Sequence, residues 1–331
     1  MNKKNLTLGI DIGGTNTVLG LVGIDGEYIS GSSLPTKGER DVNKFIARLV
    51  KSINTLFLPY ANTHNLAGIG IAAPSVNYIN GTIESPSNLQ WGNVNFVSLM
   101  KEHFNIPVAI INDANAAALG EFYYGHAKGL KTFIEITLGT GVGAGIFVDG
   151  NLLHGEKGLA GELGHIIVEK DGRICNCGRS GCLETYISAT GIKRTVFELM
   201  AKDNEPGKFA DLTFNDLTGE MISEFAKSGD SIAIKAFRYT GNILGGAMAN
   251  LAAYFSPQMI VLFGGLVNAG DLLLEPARRS FEEKLLNIHK GRIPIVISKL
   301  NNATAGILGA SSLILRELRK DSLKSEQYLA V

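Results

Sequence analysis

The stretch Asp11-Ile-Gly-Gly-Thr-Asn16 decides the fold, because a similar stretch, Thr137-Leu-Gly-Thr-Gly-Val142, returns later in the chain. A run of strand-forming residues precedes each stretch, Leu6 to Asp11 in the first case and Thr132 to Leu138 in the second, and another such run follows. A strand, glycine turn and strand that occur twice indicate an internal duplication. Because later strands alternate with helices, we expect two layered α/β domains that flank a cleft.

Hydrophobic periodicity predicts the remaining elements of these domains. The expected helices are Asp41 to Phe57, Ile192 to Ala201, Phe214 to Lys227, Ser231 to Tyr254 and Ala303 to Leu318. The expected further strands are Thr17 to Val22, Tyr28 to Leu34, Leu66 to Ala73, Ile146 to Val148, Gln258 to Phe263 and Pro294 to Ser298. We expect a small domain of residues 1–112 joined by the C-terminal segment 303–331, and a large domain of residues 113–302.

The charge balance of the chain argues against a nucleic-acid or membrane partner. Its 331 residues contain 31 lysines and arginines against 31 aspartates and glutamates, so no strong field favours a polyanion. The start of the sequence lacks the apolar run of a signal peptide. The most apolar later region, Ile243 to Gly265, is interrupted by Asn250 and Pro257 and is typical of a buried helix and strand. These features predict a cytoplasmic protein.

The first glycine turn is a candidate phosphate site. Gly13 and Gly14 allow backbone N–H groups to approach phosphate oxygens, and Thr15 and Asn16 add side-chain donors. Asp11, at the strand end, is suited to hold Mg²⁺ through water. The alternative is a tight hairpin turn with no ligand.

Two later glycine turns are candidates for the rest of a nucleotide site. Thr140 and Gly141 lie in the second turn. The glycines of this turn do not form a dinucleotide-binding fingerprint, because that motif needs a helix after its glycines and a strand is predicted from Ala144 onward. Neither of the first two turns contains the lysine of a P-loop. Gly264 and Gly265 follow a predicted strand and are placed to contact the adenosine end of a nucleotide. Three such turns favour a split site for ATP.

The stretch Asn112-Asp-Ala-Asn-Ala-Ala-Ala-Leu-Gly-Glu121 is a strong helix start that follows a predicted strand. Alanine is the best helix former, and asparagine or aspartate caps a helix start. One interpretation of Asp113 is therefore a cap alone. The other is a catalytic carboxylate, which the helix dipole keeps ionised and which orients a hydroxyl for attack on the γ-phosphoryl group of ATP.

A histidine and three cysteines form a candidate metal site. His165 is followed by Cys175, Cys177 and Cys182, which together supply the four ligands of a closed, structural Zn²⁺ site. The alternatives are a disulfide between Cys177 and Cys182 or free thiols. The number of ligands and the lack of a secretion signal favour zinc.

These motifs together resemble the ROK family of repressors, open reading frames and kinases, and the resemblance covers nearly the whole chain. The segments that carry it are Asp11 to Asn16, Ser85-Pro-Ser-Asn-Leu-Gln-Trp91, Asn112 to Ala116, Leu138 to Gly143, Gly161-Glu-Leu-Gly-His165 and Cys175 to Glu184. The resemblance implies an actin-like, hexokinase-like ATPase fold made of duplicated ribonuclease H-like units. It also implies a homodimer.

The resemblance further implies a sugar kinase and the roles of its residues. Asp113 corresponds to the family's catalytic base. The residues implied to bind the sugar hydroxyls, with Asp113 itself, are Asn88, Asn112, Glu162, His165 and Glu184. We therefore expect an enzyme of carbohydrate metabolism and glycolysis, a glucokinase that uses ATP and Mg²⁺ to phosphorylate the 6-hydroxyl of a hexose.

Other functions remain open within the same family. N-acetylglucosamine kinase and N-acetylmannosamine kinase are the alternatives among enzymes, and a non-enzymatic sugar sensor or repressor is the alternative outside them. Two departures from the family pattern bear on the sugar. Ala73-Pro74-Ser75 stands where the kinases usually have glycine, proline and glycine, and Ser87 separates Pro86 from Asn88.

Overall fold

The computed structural model describes residues 3–86, 89–203 and 207–329. Contacts between Cα atoms divide the chain into two compact units. Unit 1 comprises Met1–Gly129, Leu152–Ala160 and Lys299–Val331, and unit 2 comprises Leu130–Asn151 and Gly161–Ser298. Among the described helices, none is both long and apolar enough to cross a bilayer.

The first unit is built on a five-stranded sheet. Its elements up to residue 124 are β1 (Lys4–Ile12), β2 (Asn16–Gly23), β3 (Tyr28–Pro35), α1 (Val42–Phe57), β4 (His64–Ala73), β5 (Val76–Asn77), β6 (Thr82–Ile83), β7 (Val94–Asn95), α2 (Phe96–Lys101), β8 (Val108–Asn112) and α3 (Asp113–Tyr124). The sheet has the order β3-β2-β1-β4-β8, and β5, β6 and β7 form a separate small sheet. Strand β1 pairs antiparallel with β2 and parallel with β4.

Helix α1 shows how the sequence pattern produces this packing. Asp41 caps the helix, because its carboxylate accepts a hydrogen bond from the Asn43 N–H at 2.9 Å. The buried residues recur at helical spacing and join the core of the sheet: Phe45, Ile46, Leu49, Ile53 and Leu56. This apolar stripe is the feature that predicts the helix from sequence.

The second unit repeats the same strand arrangement. Its elements are β9 (Phe133–Leu138), β10 (Val142–Val148), β11 (Asn151–Leu152), α4 (Glu184–Ile187), α5 (Ala189–Asp203), α6 (Gly219–Lys227), α7 (Ser231–Phe255), β12 (Ile260–Phe263), α8 (Asp271–Lys284) and β13 (Ile295–Ile297). The sheet order is β11-β10-β9-β12-β13. When the strands of each five-stranded sheet are numbered in chain order, both sheets read 3-2-1-4-5, so the duplication predicted from the glycine turns is confirmed.

The last helix, α9 (Ala305–Leu329), belongs to unit 1 and packs closely on α3. A Cβ atom built on Gly309 would lie 1.9 Å from the carbonyl oxygen of Ala116, so the two helix backbones touch. This contact keeps α3 in unit 1. The boundary that we predicted at residue 113 therefore differs from the observed division, which places residues 113–129 with the first unit.

Helices α6 and α8 of unit 2 differ from the sequence expectation. Helix α6 begins at Gly219 rather than at Phe214, because the Thr218 hydroxyl caps it by accepting the Met221 N–H at 3.2 Å. Helix α8 is absent from the predicted helices, and it contains Pro276. Proline within a helix removes a hydrogen bond and disguises the helical pattern.

Candidate active site

Two aspartates of unit 1 lie near one another. Asp11 is near the end of β1, and Asp113 opens α3 directly after β8. Burial, and to a smaller extent the neighbouring Asp113 carboxylate, raises the pKa of Asp11 to about 6. Two carboxylates in this arrangement attract a cation, because a positive charge between them relieves their repulsion.

Asp113 is the first residue of α3, and Asn112 is its cap. The Ala114 N–H donates to the side-chain oxygens of Asn112 at 2.9 Å and of Asp113 at 2.8 Å. Solvent reaches the Asp113 side chain, yet the protein packed around its other sides desolvates it and raises its pKa more than the backbone N–H groups lower it. The helix dipole favours the ionised form predicted from sequence, but burial has the larger and opposite effect on the pKa of Asp113.

We expect the Asp11→Asn variant to be more stable than the wild type at pH 7. The folded pKa of Asp11 exceeds the ordinary value of 3.8, so between about pH 4 and pH 6 the folded protein binds more protons than the unfolded chain. Stability therefore falls as the pH rises through this interval, and the substitution removes a penalty of about 1–3 kcal/mol. Urea unfolding without nucleotide or Mg²⁺ measures the difference.

The same experiment at lower pH provides the control for this prediction. Near pH 4 the wild-type carboxyl is protonated in the folded protein, so the two proteins should then differ little. Asp211→Asn, at an exposed aspartate of unit 2, should change stability at neither pH. A variant that is less stable than the wild type at pH 7 would contradict the burial argument.

The first turn of α9 confines the Asp11 carboxylate. A Cβ atom on Gly306 would lie 2.3 Å from the Asp11 Oδ2 atom, which is far closer than any van der Waals contact. Only glycine leaves the carboxylate in place here. Nothing in the sequence motifs indicates this residue, because the contact joins positions near opposite ends of the chain.

The first glycine turn is closed by backbone hydrogen bonds. The Gly13 N–H donates to the carbonyl oxygen of Asn16 at 3.0 Å. The carbonyl oxygen of Thr15 accepts from the N–H groups of Thr36 and Lys37 at 2.9 and 3.0 Å, which ties the turn to the end of β3. The side chains of Thr15 and Asn16 are exposed. A rigid turn with exposed donors fits the phosphate role predicted for these residues.

The second turn is joined to Glu184 of α4. The Gly139 N–H donates to the carbonyl oxygen of Gly141 at 3.0 Å and closes the turn. The Glu184 Oε2 atom accepts the Val142 N–H at 2.9 Å, and a Cβ atom on Gly141 would lie 2.6 Å from that same oxygen. A residue expected to bind sugar and a turn expected to bind phosphate therefore touch directly.

The third turn lies beside a cavity in unit 2. Gly264 has φ 107°, and a Cβ atom there would lie 2.6 Å from the carbonyl oxygen of Leu138, so glycine is required. Gly265 opens a short 3₁₀ turn that lines a cavity of about 540 Å³ together with Thr140. Ser223 of α6 also lines this cavity, and its buried Oγ atom has no hydrogen-bond partner among the described residues.

Ser223 is a candidate site residue that the sequence reasoning missed. It lies in an ordinary amphipathic helix, where a serine carries no motif. The sequence signal that could have found it is weak: a small polar residue on the buried face of α6, where the hydrophobic pattern expects an apolar one. An unpaired hydroxyl in a cavity needs a partner, and a polar ligand is able to supply one.

The four predicted metal ligands meet in unit 2. The ligand atoms of His165, Cys175, Cys177 and Cys182 all lie within 4.8 Å of one another. The Sγ atoms of Cys177 and Cys182 are 3.7 Å apart, which is too long for a disulfide and close to the ~3.8 Å edge of a tetrahedron with Zn–S bonds of ~2.3 Å. The residues present therefore fit a tetrahedral metal ion, and the disulfide alternative is wrong.

The two ring nitrogens of His165 face different groups. Its Nδ1 atom lies 3.7 Å from the Cys175 Sγ atom and points into the cluster. Its Nε2 atom lies 4.0 Å from a carboxylate oxygen of Glu162, which is largely exposed. Carboxylates commonly orient a metal-binding histidine from its other nitrogen. The structure thus brings Glu162 next to the metal cluster.

The predicted site residues form two sets, one in each unit. Unit 1 contains Asp11, the turn Gly13 to Asn16, Asn112 and Asp113, and unit 2 contains the second and third turns, Glu162, Glu184 and the metal cluster. Asn88 and Ser87 lie outside the described residues. Ser75 adopts φ 55°, the left-handed conformation that favours glycine, the residue that the resemblance implies at this position.

The fold and site define a two-unit ATPase-like protein with a pair of carboxylates, glycine turns and a His-Cys₃ cluster. The ROK family model matches residues 7–317, and the chain belongs to the ROK family. Its structural neighbours include ROK sugar kinases of the actin-like ATPase fold, which confirms the predicted fold class.

Individual relatives cover most of the chain. A glucokinase from Halalkalibacterium halodurans is 35% identical over 94% of this chain and 95% of its own length. The crystal structure of a ROK family glucokinase from Streptomyces griseus in complex with glucose and AMPPNP is 32% identical, covers 93% of this chain and 98% of that chain, and gives a TM-score of 0.76. A xylose repressor from Caldicellulosiruptor bescii is 29% identical over 94% of this chain and 78% of its own length.

Proposed function

We propose that this protein is an ATP-dependent hexose kinase that transfers the γ-phosphoryl group of ATP to the 6-hydroxyl of glucose. The observation that carries the proposal is the position of Asp113, a carboxylate with a raised pKa at the start of α3, beside Asp11. The glucokinase relatives support ATP and glucose as the substrates.

Asp113 is the base in this proposal. A carboxylate is most useful as a base when its pKa lies nearer to the working pH than that of a free aspartate, and burial moves the pKa of Asp113 in that direction. Phosphoryl transfer has a loose transition state, so the carboxylate mainly orients the sugar hydroxyl and then accepts its proton. The hydrogen bond from Ala114 holds the carboxylate in a fixed direction.

Asp11 is the residue proposed to hold Mg²⁺, directly or through water. Its carboxylate oxygens are the ligands that this ion prefers, and its buried negative charge beside Asp113 favours a cation. When bound, the ion neutralises charge on the phosphate oxygens. Gly306 keeps the carboxylate in position by leaving room for it.

The sugar and nucleotide contacts are proposed as the sequence motifs predict them. Asn88, Asn112, Glu162, His165 and Glu184 are proposed to bind the sugar hydroxyls, for which carboxylate and amide groups offer directional hydrogen bonds. The turns at Gly13 to Asn16 and at Thr140 and Gly141 are proposed to bind phosphates. Gly264, Gly265 and the cavity that Ser223 lines are proposed to hold the nucleoside.

The proposal also covers the metal bound by the cluster, the oligomeric state and the cellular location. The cluster is proposed to hold a structural Zn²⁺, because four protein ligands leave no open position for water. A homodimer, a cytoplasmic location and a place in glycolysis are proposed from the family. The balanced charge of the chain supports the absence of a nucleic-acid partner.

A coupled assay of ADP release tests the function. The panel contains glucose, mannose, fructose, N-acetylglucosamine and N-acetylmannosamine, each with ATP and Mg²⁺. We expect glucose to give the highest kcat/KM and a product phosphorylated at the 6-hydroxyl, identified by NMR. A preference for an acetylated sugar would transfer the proposal to the alternative kinases, and no activity on any sugar would refute it.

Substitutions in the second turn should separate its two contacts. Thr140 lines the cavity, whereas Gly141 lies against Glu184. We expect Thr140→Trp to raise the KM for ATP at least about tenfold with little change in the KM for glucose. Gly141→Ala should raise both, because its Cβ atom displaces the Glu184 carboxylate.

Initial rates with each substrate varied in turn measure the two KM values for both variants. Gly92→Ala is the control, because a Cβ atom there meets nothing within 4 Å. Equal effects of Thr140→Trp on ATP and glucose would contradict the assignment of the cavity to the nucleotide.

A further inference from the structure

Arg173 is a buried arginine within the segment that carries the metal ligands. It lies two residues before Cys175, and only 6% of its side chain is exposed. An arginine so deeply buried is unusual, since the charge is costly to desolvate unless it is fully paired. It is neither one of the metal ligands nor one of the residues proposed to bind the sugar.

Every N–H group of the Arg173 guanidinium has an acceptor. Nε donates to Glu198 at 2.8 Å, and one terminal nitrogen donates to Glu198 at 2.5 Å and to the Thr195 hydroxyl at 2.9 Å. The other donates to the carbonyl oxygens of Thr185 at 2.6 Å and Gly191 at 3.1 Å. The five donors of the fork are thus all used.

An aromatic ring completes the surroundings of the guanidinium. Its carbon atom lies 4.5 Å from the centre of the Tyr186 ring, within range of a cation–π interaction. The Arg173 backbone N–H also donates to the Tyr186 hydroxyl at 2.9 Å. The side chain and backbone of one residue of the metal-binding segment therefore contact the same turn of α4.

The residues that Arg173 holds follow Glu184 in sequence. Thr185, whose carbonyl oxygen it binds, comes directly after Glu184, and Tyr186 comes next. Glu184 in turn accepts the Val142 N–H of the second glycine turn at 2.9 Å. A chain of contacts thus runs from Arg173 through the backbone of α4 to Glu184 and on to Val142.

The metal cluster alone does not fix this part of α4. Its last ligand is Cys182, and the Thr185 hydroxyl and N–H bond back to the Cys182 carbonyl oxygen at 2.8 and 3.0 Å. The Thr185 carbonyl oxygen instead accepts from Arg173. The Cys182 carbonyl oxygen and the Arg173 guanidinium therefore restrain Thr185 through different groups of that residue.

We propose that Arg173 is a positioning residue for Glu184, fixing the carboxylate that binds the sugar and braces the second glycine turn. This proposal rests on the proposed function for the role of Glu184. Lysine is unable to replace arginine here, because one ammonium group cannot reach acceptors on α4 and α5 in the geometry of a planar fork. The Glu198 side chain is more than half exposed, so the main-chain acceptors matter more than the ion pair.

A double-mutant cycle tests the proposal. We expect Arg173→Lys to raise the KM for glucose about tenfold to a hundredfold, with metal content unchanged. In the Glu184→Ala background the same substitution should have little further effect, because no side-chain oxygen is left to be positioned. Arg194→Lys is the matched control, since Arg194 donates a single bond from α5 to the carbonyl oxygen of Ile174 in the same segment. Equal losses in both backgrounds would overturn the proposal.

A second measurement does not depend on activity. Amide hydrogen exchange of Val142, whose N–H is bound by Glu184, should speed up in Arg173→Lys and stay unchanged in Arg194→Lys. The Ile146 amide of the same strand serves as the internal reference. If Arg173→Lys fails to fold, Glu198→Gln provides the milder variant, with a smaller change in the same direction. Unchanged exchange of the Val142 amide in a folded variant would refute the positioning role. If the wild-type protein phosphorylates no sugar of the panel, only the proposed function is refuted.

Discussion

Asp113→Asn should lower kcat for the preferred hexose by about 10²- to 10⁴-fold, the usual contribution of a positioned base. Asparagine has the same shape, and its oxygen is still able to accept the Ala114 N–H that now reaches Asp113 at 2.8 Å. It is unable to accept the proton of the 6-hydroxyl. The loss should therefore fall on turnover, and sugar binding should be largely retained.

Steady-state rates and calorimetric titration with glucose measure these two properties separately. Asp211→Asn is the control for the chemical change, because it replaces an exposed aspartate of unit 2. A variant with wild-type kcat would remove the base assignment. A variant that loses glucose binding to the same extent as turnover would show that Asp113 serves mainly in binding.

The position of Asp113 at a helix start is predictable from sequence because the signals for it are local. Asn112 and Asp113 end a predicted strand and precede an alanine-rich run, so their place at a helix start follows from short-range rules. The two strand–turn–strand units are equally local, and they are sufficient to predict the duplicated sheets. Local structure that depends on hydrogen bonds within a short stretch can be predicted from the sequence of that stretch.

Other features of the site depend on contacts between distant residues. Gly306 lies against Asp11, and Glu184 binds the N–H of Val142. Neither contact follows a periodicity or a residue spacing that could be recognised in the sequence. The raised pKa of Asp113 depends on how many protein atoms surround the carboxylate, which no pattern reports. The same is true of Ser223, whose importance lies in a cavity formed by other elements.

The observed division of the chain differs from the predicted domain boundary for a related physical reason. The sequence places residue 113 after the strand that ends the first sheet, where a new domain could begin. In the structure, α3 is held in unit 1 by close contact with α9, at Gly309 and Ala116. A helix contributed by the far end of the chain thus decides where the first unit ends.

The second large effect is expected from Cys177→Ser. Cys177 is the exposed member of the cluster, and serine is nearly isosteric, so little packing is lost with the sulfur. Loss of one of four ligands should reduce the zinc content from about one per chain to near zero. Because metal binding contributes directly to folding, we expect a loss of several kcal/mol in stability. The segment 165–182 should become susceptible to proteolysis.

The effect should extend to the sugar through two residues beside the cluster. Glu162 lies 4.0 Å from the His165 Nε2 atom, and Glu184 follows Cys182 by two residues. Without the metal both carboxylates lose their support, so we expect kcat/KM for glucose to fall at least about tenfold. Burial raises the pKa of the Cys182 thiol, and binding requires its deprotonation, so metal uptake by the wild type should weaken at acidic pH.

Metal analysis, thermal unfolding and glucose kinetics of Cys177→Ser measure these effects on one preparation. Ser180→Ala, at an exposed position of the same segment that supplies no ligand, should behave like the wild type in all three. Full activity and stability in a zinc-free wild-type protein would contradict the structural role of the metal. Loss of zinc with unchanged glucose kinetics would instead leave Arg173 as the group that holds Glu184 in place, because its bond to the Thr185 carbonyl oxygen involves none of the metal ligands.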